Sequence, residues 1–107
     1  MFLKYNDEEL FEFFEGDPVV IGEWEAGELL YSYEQDGFKI VLLLSTYEMY
    51  IQISICYHET VIYSQKHDQV SEIRMADRNT LKLLKKQERI IIKKEPQLGV
   101  MIEQMTE

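Results

Sequence analysis

The 107-residue chain has one cysteine, two prolines and five glycines, and each scarcity closes off a class of protein. A single cysteine cannot build an intramolecular disulfide framework and suits a reducing compartment. So little proline and glycine, beside 46% apolar and 12% aromatic residues, excludes disordered and low-complexity chains. Long apolar runs are missing too. The longest, Ile40 to Leu44, falls far short of the roughly 20 residues a membrane span requires. Met1 to Glu9 has no apolar core of a secretory signal, so a cytoplasmic location without membrane attachment is expected. Bases are outnumbered, 11 against 20 acids, and a formal charge of −9 argues against nucleic-acid binding through a basic surface. The length fits one domain, residues 1–107, with room for one hydrophobic core.

What is present begins with a helix signal. Asn6 followed by Glu9 reads as a capping box, and Asp7, Glu8 and Glu9 put negative charge where the helix dipole favours it. Leu10, Phe13 and Phe14 recur at helical spacing, Gly16 can supply a left-handed cap, and Pro18 prevents continuation. The spacing predicts a helix over 7–15. From Val19 the period changes to two. Glu28–Gln35 and Phe38–Ser45 flank Asp36-Gly37, a strong hairpin signal. Phe38, Ile40, Leu42 and Leu44 share one face of the second strand and Val41 and Leu43 the other, the pattern of a central strand covered on both sides. Tyr47–Tyr57 alternates over a long strand, His58-Glu59 can turn the chain into Thr60–Lys66, and Val70–Met75 is a weaker strand. Thr80–Glu88 contains good helix formers, yet a hairpin of Thr80–Lys85 with Arg89–Lys94 is preferred, followed by a short strand over Val100–Glu103. The expected fold is α+β: one N-terminal helix packed on a curved, mostly antiparallel meander sheet of six to seven strands, with a barrel-like closure as one form of it.

Charge is segregated along the chain. Residues 1–37 hold eleven acids against Lys4 alone, whereas residues 78–94 hold seven bases against Glu88. If the basic hairpin lies beside the helix or the Glu23–Glu28 loop, cross-strand pairing cancels much of this asymmetry. Otherwise it forms an acidic face that steers a basic partner. Trp24 stands among Glu23, Glu25 and Glu28 in a glycine-flanked loop, with Tyr31 and Tyr33 following at strand spacing. Aromatic rings among carboxylates can meet Arg or Lys by stacking and charge together, so Glu23, Trp24, Glu25, Glu28, Tyr31 and Tyr33 form the candidate binding set. The competing reading of Trp24 is a partly buried core residue.

Catalytic and metal constellations are sparse. Cys56 and His58 share one strand face, and with His67 a metal site can be drawn, but the spacing matches no zinc motif. A Cys56–His58 dyad oriented by Glu59 or Asp68 can also be drawn, whereas single strand cysteines are mostly inert packing residues. There is no Gly-rich phosphate loop, nucleophile elbow, HExxH or calcium-loop spacing. No catalytic residue, metal or cofactor is assigned.

No motif is specific to one family. In general appearance, a small acidic α+β domain with aromatic residues among its acids, the chain is similar to immunity proteins that neutralise bacterial toxins. That resemblance implies a non-catalytic inhibitor of a basic protein partner. The alternative is a small enzyme or ligand-binding domain using a Cys56/His58 face within a partly closed sheet.

Overall fold

A computed structural model describes residues 2–104 of the chain. Helix α1 (Asp7–Phe14) begins at Asn6, whose side-chain oxygen accepts from the amides of Glu8 and Glu9 at 2.9 and 3.1 Å. The reciprocal half of the capping box is absent. Glu9 instead accepts from the Met75 amide at 2.9 Å, tying the helix to a strand 66 residues away. The left-handed residue at the C-terminus is Glu15 (φ 58°), not Gly16.

Among the described residues nine strands follow in two antiparallel meanders. The first sheet has the order β1 (Val19–Val20), β2 (Glu28–Gln35), β3 (Phe38–Ser45), β4 (Tyr50–Tyr57) and β5 (Thr60–His67). The second has the order β6 (Glu72–Asp77), β7 (Thr80–Leu84), β8 (Glu88–Lys93) and β9 (Gly99–Gln104). The expected single sheet of six to seven strands is therefore divided, and neither half closes into a barrel. The break lies where Gln69 adopts a left-handed conformation (φ 59°) and buried Val70 donates its amide to the Met49 carbonyl at 2.8 Å. Beyond that turn β6 pairs with β7, and a fresh meander begins. Thr80–Glu88 forms a strand and turn rather than a helix, and β7 pairs with β8 as the β-branched run of β8 requires.

The inner faces of both sheets enclose one core. Leu29 and Tyr31, Ile40, Leu42 and Leu44, Ile51 and Ile53 meet Leu81, Leu83, Ile90 and Ile92, with Leu10, Phe13 and Phe14 of α1 between. Leu42 opposes Ile53 directly, and both are fully buried. The segment before the helix stitches the sheets together. Leu3 donates to the Thr46 carbonyl of the first, while Lys4 bonds Ser71 and Ile73 in a parallel bridge with the second. β3 is central, as its sequence indicates, but only one of its faces is fully covered. Val41 and Leu43 on the outer face are half-buried. No helix among the described residues is long and apolar enough to cross a membrane.

Candidate protein-interaction surface

The acidic loop is held by backbone rather than by ion pairs. The Ile21 amide bonds the Glu28 carbonyl at 3.0 Å, and a short 3-10 turn, Trp24–Ala26, is closed by Ala26 donating to the Glu23 carbonyl. Gly27 (φ 73°) then docks the loop on the β3–β4 turn, and a Cβ there would meet the Tyr47 ring at 2.8 Å. Glu23 and Glu25 are left exposed. The Trp24 backbone opens the turn, but its side chain lies outside the described part of the structure. Glu28 is half-buried and accepts from the Tyr50 hydroxyl at 3.4 Å. Burial first, then the Glu28 charge and this hydrogen bond, raise the Tyr50 pKa. Lys66 completes the line with its ammonium 4.2 Å from the Tyr50 ring centre.

The two tyrosines of the candidate set do not join this loop. Tyr31 is 1% exposed and stacks on Phe14 at 5.2 Å, so it is a core residue and its ring cannot meet a partner. Strand spacing put Tyr31 and Tyr33 on one face of β2, and that face is the one the helix covers. Burial, reinforced by Asp7, Tyr5 and Asp17, pushes the Tyr31 pKa up to about 12. Tyr33, on the same inner face, is half-buried at the far end. Lys94 lies 4.3 Å from the Tyr33 ring and 4.6 Å from the Phe13 ring, with its ammonium 3.3 Å from Glu15. Burial and then Glu15 raise the Tyr33 pKa. Lys94 with Glu15, and Arg78 with Glu12 at 3.9 Å, cancel part of the helix's negative charge.

Cys56 and His58 do come together. With Glu34, Asp36, Lys39 and Glu59 they line an open cleft of about 570 Å³ at the tips of the β2–β3 and β4–β5 hairpins. The cleft lies at the rim of an open sheet and not inside a closed one. His58 packs on Tyr57 at 4.1 Å and against Gly37, and no hydrogen bond joins it to Cys56 among the described residues. His67 stands elsewhere, buried at the end of β5. No three His, Cys, Asp or Glu side chains converge as a metal site among the described residues.

The two sheets carry charges of opposite sign. Residues 17–70, which include the first sheet, hold nine carboxylates against Lys39 and Lys66, a formal −7. Residues 71–104, with the second, hold eight bases against five acids, a formal +3. Among solved structures, a chain of the contact-dependent growth inhibition toxin–immunity protein complex from Klebsiella pneumoniae 342 superposes with a TM-score of 0.81. This chain is similar to a member of a toxin–immunity pair. The match covers 96% of this chain and 98% of that one at 25% sequence identity, so it includes the helix and both sheets. No protein-family model matches the sequence, and no curated protein matches it.

Proposed function

We propose that this chain is an immunity-type protein that neutralises a toxin by binding it, without chemistry of its own. The likeness over nearly the whole of both chains to a member of a toxin–immunity complex carries the reading. The partner is a basic protein, attracted by the acidic loop of Glu23, Glu25 and Glu28 and by the −7 of the surrounding residues. Trp24 is the aromatic contact in that loop, and Tyr33 lies outside it. The encounter takes place in the cytoplasm, where the single thiol stays reduced.

The test has two steps. The tagged chain captures partners from the cells that naturally make it, and each captured protein is then produced alone and together with the chain. A captured basic protein that arrests growth alone, and loses that effect with the chain present, is the expected result. If no captured protein behaves so, the reading is wrong.

The hairpin-tip cleft favours a second reading, a ligand site using Cys56 and His58 beside carboxylates. The two diverge in Cys56→Ser with His58→Ala. Neutralisation that survives both changes supports the immunity reading, and binding or turnover of a small ligand that the intact chain shows and the variant loses supports the cleft.

A further inference from the structure

We infer that the toxin docks on the outer face of the five-stranded sheet, with the acidic loop as its rim and not its centre; this rests on the immunity reading. The anomaly behind it is β3. A central strand apolar on both faces is ordinarily covered on both. Here Val41 and Leu43, with Leu30 beside them on β2, are only half-buried and belong neither to the core nor to the residues packed against it. Register aligns Val19, Leu30 and Leu43 across three strands, and Val19 is 58% exposed. The next row crosses Val41 to Ser54 and Ser64, whose hydroxyls bond each other at 3.0 Å. The result is an aliphatic stripe beside a small-polar one.

Charge and area specify the occupant. Glu28 and Glu34 share this face with Lys39 and Lys66, and the other seven carboxylates of residues 17–70 lie in the loops and turns that rim it, so the rim favours a basic protein. Four strands of eight residues, at about 4.8 Å spacing and about 3.3 Å rise, present roughly 500 Å². The loop at the Glu28 end extends this face toward the about 800 Å² per partner of a standard interface.

Cys56, the sole cysteine, lies on this face between Lys39 and Val61 and is a native reporter. The test is its maleimide labelling rate in the intact chain, with and without the purified captured toxin, together with toxin affinity of Ser54→Arg and of Lys82→Glu on the other sheet. Saturating toxin is expected to slow labelling at least about tenfold. Ser54→Arg, with an unchanged melting temperature, is expected to weaken binding roughly thirtyfold or more, the scale of a central interface residue, while Lys82→Glu leaves it unchanged. A toxin that is neutralised while Cys56 labels at its free rate overturns the docking face and leaves the immunity reading standing. Protection in the chain alone, rising with its concentration and lost in salt, overturns it in favour of a second copy whose basic sheet meets this acidic one. Failure to capture any neutralised toxin overturns both.

Discussion

Burial of single ionisable residues bears on the acid response of this domain. His67, 4% exposed at the end of β5, has an Nε2 without a hydrogen-bond partner. Burial, and then the Lys85 charge, lowers its pKa below the ordinary 6.5, against smaller opposing effects of Glu88 and Asp68. A folded-state pKa below the unfolded value means that the unfolded chain binds the proton first. His67 therefore costs nothing above about pH 6.5, and stability falls as pH drops below that value toward the folded pKa. Urea midpoints measured from about pH 7.5 down to about pH 5 should show this fall, and His67→Leu should flatten it. An unchanged slope in the variant would mean that surface carboxylates govern the window. Lys94 shows the other way to bury a charge. At 5% exposure it is held by Glu15 and two aromatic rings, so its interior position is compensated.

At the level of elements, two hairpins solve the same geometric problem unequally. Asp36-Gly37 has φ values of 53° and 85°, and Gly37 adopts its conformation without Cβ strain. His58-Glu59 has φ values of 46° and 70° with two side-chain-bearing residues, a conformation favoured by Asn-Gly. Glu59→Gly should therefore stabilise the fold by about 0.5–1 kcal/mol in urea unfolding. A loss of stability would show that the Glu59 side chain makes contacts worth more than the strain. Both turns were readable from composition, as were β2 and β3 to the residue. β4 was read too long at its start, because Tyr47 and Met49 keep the alternation through a turn in which Met49 is left-handed.

Across the whole molecule, the proposed docking would be steered by charge. If the acidic sheet and loop are the docking side, association should slow markedly with salt, since the Debye length shrinks from about 10 Å at 0.1 M to about 3 Å at 1 M. Dissociation should change less, because apolar contacts on the Val19–Leu30–Leu43 stripe are little screened. Stopped-flow mixing with the purified toxin at increasing salt measures both rates. An on-rate indifferent to salt would remove the acidic surface from the encounter.

The sequence by itself determined the helix, the α+β class, and β2 and β3 with the hairpin between them, because period, caps and turn residues act over a few neighbours. It also indicated the acidic loop of Glu23 and Glu25 that leads into Glu28, the first residue of β2. Only the tertiary structure decided that the strands divide into two sheets, that Tyr31 lies under the helix, and that Lys4 bridges to Glu72. Alternation assigns a residue to a face but does not say what covers that face. The cover comes from contacts between segments tens of residues apart, on which local pattern carries no information.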